Sequence, residues 1–522
     1  MQYYILLLEG EMFMEHLGWI SIIPPIIAII LAVITRNVVV SLFFGAFIGV
    51  LILVGGNPLV ATTETIGNYF FPLAADGYNA AIIVLLFFIG GFVGLMEKSG
   101  GGAALAANTI KFINTKAKAQ ISAWFGGIII FFSDLGTPLI VGPVFEKIFD
   151  KAKISREKLA WIIDSTSSPV AVLIPFIGWG VYIMGLIQKE YEALNITTSE
   201  FSTLVQVIPF QFYAILAVVM VPLVALTKLD FGPMAKAERR VQTTGELYWP
   251  TSKPLRRVEN SEEGTEHRHA ILVWLPLLVL FITLFGLLIS YGFPFEPVPG
   301  NDFRVALSTA YLFAAITIII LMLVYKLKKF SDIFTIYTTG MQKMVYVAVT
   351  LILAWSLGKV MKEMGTANFI VEAMNGNVPA FIIPALLFLV GVLMSLASGS
   401  SWGTYAIMLP IAIPMAVTLD AHLLVCIGAV LSGGIMGDHS SPISDTTILS
   451  STGAGADHID HVKTQLPYAL LNASIAFIGY IVAGITGSVL TLLLILVLLI
   501  ITIFLLSKNH KRKYGASEGV GI

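Results

Sequence analysis

GAVLSGGIMGDHSSPISDTTILSSTGAG, residues 428–455, interrupts a strongly apolar part of the chain. It holds two aspartates (Asp438 and Asp445), a histidine (His439), Pro442 and many hydroxyls, and apolar sequence resumes after a short polar turn. Ionisable residues at membrane depth are costly and mark function. Backbone broken by Gly and Pro persists there only where it lines a cavity or is packed in protein. The stretch therefore reads as an unwound helix forming a transport site.

Composition agrees. Of 522 residues, 57% are hydrophobic and 12% charged, against about 25% charged in soluble domains. Most of the chain belongs in lipid. A net charge of −1 gives no support for nucleic-acid binding. The single cysteine, Cys426, forms no internal disulfide and reads as a small packing residue. The early run YYILLL is too short for a signal peptide and is followed by Glu9 and Glu11.

Working outward, segments of roughly 20 apolar residues, long enough to span, fall near 17–35, 38–54, 79–96, 157–187, 209–227, 270–291, 305–325, 344–361, 422–453, 466–486 and 488–506. Two more, 119–145 and 380–418, are interrupted by SDLGTP and ASGSSWGT. Cytoplasmic loops collect Lys and Arg. If both interrupted regions are re-entrant hairpins, all of the 31 basic residues except Lys189, Arg304, Lys359 and Lys362 share one side. The fold expected is an all-α polytopic membrane protein with about 11 spans and two re-entrant hairpins. Its N-terminus is expected outside and its C-terminus inside.

That topology contains an inverted repeat. Residues 17–228 form one unit and 270–487 its counterpart, with discontinuous helices at 157–187 and 422–453. Gly136-Thr137 precede Pro143 as Gly403-Thr404 precede Pro410. Ser167-Ser168-Pro169 precede Gly180 as Ser440-Ser441-Pro442 precede Gly453. Mirrored order and matched spacing point to a secondary transporter. Around the repeats lie an extracytoplasmic segment 1–16, a cytoplasmic linker 229–269, an extra span 488–506 and a basic tail 507–522. The linker mixes both charges with Pro250 and Pro254 and reads as solvated and partly disordered. The Gly-rich run at 99–107 lacks the Lys-Ser/Thr ending of a phosphate loop. With no ATP-hydrolysing motif, ion gradients would drive transport, and no cofactor is expected.

A hard cation needs several oxygen ligands. Asp134 and Thr137 sit at the first hairpin tip, and Asp164, Ser165, Ser167 and Ser168 at the first break. Opposite them are Ser398, Ser400, Ser401 and Thr404 at the second tip, beside Asp438, Ser440, Ser441, Asp445 and Thr446. Two tips meeting two breaks is the arrangement expected of a cation site, with sodium at Asp438 and Asp445. The competing reading has these aspartates capping half-helices, but capping needs only one such residue per helix end. His439 is either a proton relay or a structural partner of a neighbouring carboxylate. His458 and His461 in GADHIDHVK look like a metal pair but fall in a predicted solvated turn. Trp179 and Trp402, each beside a site glycine, read as space-filling. Burial raises an aspartate pKa and a bound cation lowers it, so one carboxylate that holds either species gives exchange.

GDHSSPISDTTILSSTGAGADHIDHVKTQLPYAL at 437–470 resembles the signature region of the NhaC-type sodium/proton antiporter family. FSDLGTP at 132–138 and DSTSSP at 164–169 resemble its first-half counterparts. The resemblance implies paired hairpins, broken helices, elevator-like movement of a core against a scaffold, and homodimers in a bacterial cytoplasmic membrane. It leaves the cargo open, since sodium/proton exchangers, malate/lactate exchangers and sodium-coupled amino-acid carriers share the pattern. Val172 stands where Asp445 stands in the second half, so one half is cation-rich and the other more apolar. Sodium/proton antiport ranks first and sodium-coupled uptake of an amino acid or small organic acid second. An intramembrane protease is disfavoured, because GIMGD at 434–438 is not Gly-x-Gly-Asp. Two inverted copies suit alternating access better than a passive channel.

Overall fold

A computed structural model describes residues 16–104, 113–254, 269–293, 295, 298–374 and 378–514. Most of the N-terminal segment, linker residues 255–268 and the end of the basic tail lie outside these residues. The described chain is helical without strands, and nine to eleven of its helices are long and apolar enough to cross a membrane.

In chain order the main helices are α1 (Ile23–Thr35), α2 (Val38–Leu53), α3 (Gly77–Lys98), α4 (Lys116–Ile129), α5 (Gly136–Lys151), α6 (Arg156–Ser165), α7 (Gly178–Ala193), α8 (Phe212–Thr227) and α9 (Gly232–Thr244). The second half continues with α10 (Ile271–Ser290), α11 (Gly300–Val324), α12 (Phe330–Lys343), α13 (Val345–Glu363), α14 (Ile383–Ser398), α15 (Ser401–Thr418), α16 (Leu423–Ser440), α17 (Asp445–Ala454), α18 (His458–Thr486) and α19 (Thr491–Tyr514). The hairpins are α4–α5 and α14–α15. The broken helices are α6/α7, with a short helix Ser168–Ala171 in the gap, and α16/α17.

Local chemistry sets the boundaries. Asn37, Thr115, Ser155 and Ser400 cap α2, α4, α6 and α15 by accepting from amides three residues on, at 3.1–3.2 Å. Gly399 turns the second hairpin in the left-handed region at φ 69°, and a Cβ there would meet Ile443 at 2.8 Å. At the second break Pro442 withholds an amide and Ser441 before it is extended, whereas the first break falls at Thr166 and Ser167, and Ser168 already opens a short helix with Pro169 in its first turn.

The halves repeat in their packing as well as in their order. The α1–α2 pair recurs as α10–α11, α2 against α13 as α11 against α3, and α4 against α8 as α14 against α18. The second arm of each hairpin lies between the first half-helix of its own repeat and the second half-helix of the other. α5 touches α6 and α17, and α15 touches α16 and α7. Glycine permits the closest of these approaches, because a Cβ on Gly142 would meet the backbone of Gly453 at 2.3 Å. Hairpins and broken helices form a core, and α1–α3 and α10–α13 form a frame beside it.

Several expectations need correction. Residues 326–343 are no simple connection, since α12 runs almost directly into α13. Its polar face (Ser331, Asp332, Thr335, Thr338) hid it from hydropathy. A helical segment Pro58–Ala75, bent 116° from α2, lies between the expected spans 38–54 and 79–96. The expected turn at 457–461 is the start of α18, and the last span continues to Tyr514. The described part of the linker is ordered and docked. Glu238 accepts from the Ser155 amide and hydroxyl at 2.7 Å each, and Arg240 pairs with Glu157 at 3.0 Å. Lys158 pairs with Asp230, and Ser252 donates to Asp460 at 2.5 Å. This clamp joins the start of α6 to the start of α18.

Candidate functional site

The α16 helix ends on Asp438-His439-Ser440, the chain bends through Ser441–Ser444, and α17 begins at Asp445. Asp438 is buried in the last turn of its half-helix. Its carboxylate accepts from Ser401 Oγ at 3.0 Å and Ser444 Oγ at 2.5 Å, and Ser444 lies 3.0 Å from Thr446 Oγ1. The first hairpin brings in Asp134, which lines the same space as Trp179 and Ser400. A small chamber of about 100 Å³ is lined by Asp134, Ser400, Ser401, Asp438, Ser444, Asp445 and Thr446.

That chamber opens off a cavity of about 500 Å³ between core and frame. Asp134, Trp179, Ser400, Trp402 and Asp445 line both spaces. At the frame side of the cavity, Glu97 accepts from Ser133 Oγ at 2.6 Å and pairs with Lys343 at 3.2 Å. Asp445 is exposed on the wall, while Asp438 sits behind it with its hydroxyl partners. The two aspartates share one chamber in different settings. Trp179 and Trp402, which read from sequence as filler, have ring centres 4.9 Å apart with planes inclined by 58°, and both line the chamber.

Asp164 belongs to a second centre. It is fully enclosed, and it accepts from Gln465 Nε2 at 2.7 Å and Ser450 Oγ at 3.2 Å, with His461 Nε2 at 3.3 Å. His439 stands 4.0 Å away, with Tyr213 OH on its Nδ1 at 2.8 Å and Ser165 Oγ at 3.3 Å from Nε2. Asp164 does not line the chamber. Adjacent residues of α16 thus join the two centres, Asp438 facing the hairpin tip and His439 facing Asp164.

The remaining expected residues sort clearly. Ser167 donates to the Asp134 carbonyl, which ties the first break to the first tip. Ser441 donates to the Leu396 carbonyl at 2.8 Å. Thr137 and Thr404 each donate to a carbonyl four residues back at 2.9 Å and line neither space. Ser168, Ser398 and Ser440 bury hydroxyls without a hydrogen-bond partner. The capping reading fails for Asp438 and Asp164, which occupy the C-terminal ends of α16 and α6.

His461, Gln465, Ser450, Tyr213 and Glu97 were missed. The signal for the first two was present: His461, Thr464, Gln465 and Tyr468 follow helical i, i+3, i+4, i+7 spacing and form one buried stripe of α18. His461 turns inward to Asp164, and His458 contacts Ser451 Oγ and the Pro442 carbonyl, at 3.1 and 2.6 Å. Among the described residues no group of three or more His, Cys, Asp and Glu is arranged to hold a metal ion. Carboxylate and hydroxyl oxygens are the donors that hard cations take.

The sequence profile of the Na+/H+ antiporter family matches residues 2–176 and 170–485. The chain belongs to this family. An uncharacterised protein of Haemophilus influenzae is 34% identical over 90% of this chain and 91% of its own length. An uncharacterised Na(+)/H(+) antiporter of the same organism is 35% identical over 20% of this chain and 23% of its own. The crystal structure of the YdaH transporter of Alcanivorax borkumensis shares the fold, with a TM-score of 0.56 at 17% identity over 83% of this chain and 90% of that one. This member of the antiporter family is a multi-pass membrane protein and a secondary transporter, which accords with the paired hairpins and broken helices.

Proposed function

We propose that the protein exchanges sodium for protons by alternating access, with Asp438 as the group that carries one or the other. The observation that carries this reading is the chamber itself. About 100 Å³ lined by three aspartates and four hydroxyl residues has room for an ion and little else, whereas organic ligands occupy pockets of about 300–1,000 Å³. Ser401 and Ser444 donate to Asp438 here; on cation binding the same oxygens can turn their lone pairs to the ion. Asp438 also lies at the negative end of the α16 dipole, where an unneutralised carboxylate is disfavoured and a proton or cation is welcome. Competition between the two couples their movements.

Purified protein in liposomes, given an imposed sodium gradient and no organic solute, should change lumenal pH. A flat pH trace with sodium present, together with uptake of a labelled amino acid or organic acid, would favour the second reading. One observation supports that alternative. The outer cavity of about 500 Å³ pairs an aromatic wall (Trp179, Trp402, Tyr346) with Asp445 and Lys343, a carboxylate and an ammonium suited to a small zwitterion.

A further inference from the structure

A second pocket lies at the other end of the same core–frame seam. Helices α7, α13 and α15 give their first turns to the large cavity (Gly178 and Trp179; Met344 to Thr350; Trp402 and Gly403). The same three helices give later turns to a pocket of about 300 Å³ that includes Glu190, Lys362 and Thr418. Along α7, at 1.5 Å per residue, the two spaces are roughly 20 Å apart. Between them Tyr182, Leu351, Trp355 and Tyr405 are buried, and the Trp355 indole donates to the Gly185 carbonyl at 2.9 Å, closing the seam.

Glu190 is the unusual group in this pocket. It is 7% exposed and lies in the last turn of α7, where a helix dipole disfavours an anion. The Leu194 amide closes the helix on the Glu190 carbonyl at 3.0 Å, and among the described residues no group donates a hydrogen bond to the Glu190 carboxylate. Lys362, exposed on the frame, lines the same pocket, and among the described residues it closes no ion pair with Glu190. A buried carboxylate normally has its charge met by a partner. At the Lys343 end the corresponding pair, Glu97 and Lys343, is closed at 3.2 Å.

We propose that this pocket is the second vestibule of the transport path, where a monovalent cation at the Lys362 face is met by the Glu190 carboxylate before or after its passage to Asp438. The proposal rests on the cation-exchange reading for its cargo, though not for its route. It makes the two ends of the seam equivalent in purpose: each holds a carboxylate beside a lysine, on a cleft between core and frame.

Two measurements test it. In sealed vesicles of both orientations, Glu190→Gln should raise the half-saturating sodium concentration about tenfold from the Lys362 face, at the low end of what a charge-lined cleft gains in local cation concentration. From the Lys343 face the value should stay put. An equal change from both faces, or none from either, overturns the proposal. Independently of cargo, a membrane-impermeant maleimide should label Thr418→Cys only from the side opposite to the one that labels Val347→Cys, which lines the large cavity. The native Cys426 is buried and stays silent. Labelling of both from one side, or no labelling of Thr418→Cys, overturns the vestibule even where Glu190→Gln fails to fold. Wild-type vesicles with no sodium-dependent pH change but the expected labelling would discard the cation cargo and keep the route.

Discussion

Asp438 and Asp164 occupy the same awkward place, the last turn of a broken half-helix, and each meets its charge differently. Asp164 is surrounded by side-chain donors and closed off, while Asp438 has two hydroxyls and an open chamber. The decisive substitution for transport is therefore Asp438→Asn. It should lower exchange at least about a hundredfold, matching one charge-assisted contact of ~3 kcal/mol. Asp445→Asn, on the exposed wall, should raise half-saturating sodium by about three- to tenfold and keep the maximal rate, since it removes local attraction and not the carrier. Sodium titrations of exchange in proteoliposomes separate these outcomes. At the second centre, His461→Ala leaves Asp164 short of a partner and should cost about 1–3 kcal/mol. A lower thermal midpoint in detergent would show it, with His461→Gln, which keeps a donor, recovering most of the loss.

At the scale of elements, legibility followed locality. The breaks at 164–169 and 438–445 and the hairpin tips were readable because Gly, Pro and hydroxyl residues interrupt hydropathy within a few positions. Asp438 stands out in the sequence for the same reason. His461 and Gln465 were not, because their role depends on Asp164, supplied by a helix far away in sequence. A histidine near a predicted turn looks solvated until tertiary packing buries it. The docked linker escaped for a related reason: its charges resemble those of a solvated segment, yet their partners lie on α6 and α18. Arg240 is the centre of that clamp, paired with Glu157, donating to the Glu246 and Leu247 carbonyls at 3.0 Å each, and lying 4.5 Å from the Trp249 ring centre. Arg240→Ala would leave Glu157 buried and unpaired, a local loss of about 3–5 kcal/mol. Limited trypsin digestion should then cut after Arg239 and Lys253 well before it does in the parent protein.

For the whole molecule, the shared packing pattern makes the two repeats mutually dependent. The second arm of each hairpin borrows a half-helix from the other repeat, so neither half completes its core alone. Chains ending at Arg257 and beginning at Val258, made together, should assemble and exchange ions, because the contacts that join the halves survive the cut. The first chain alone should be degraded. Pull-down of one tagged half with the other, followed by transport in vesicles, checks both outcomes.

The distance along the chain between Asp164 and its partners has a bearing on synthesis. Ser450, His461 and Gln465 lie 286, 297 and 301 residues downstream. A ribosome adding about 5–20 residues per second therefore leaves the newly inserted carboxylate waiting for roughly 15–60 seconds before its partners exist. During that interval the first repeat must hold Asp164 protonated, wet, or shielded by another protein. Birth in the membrane, more than working life there, is when this residue is most exposed to failure.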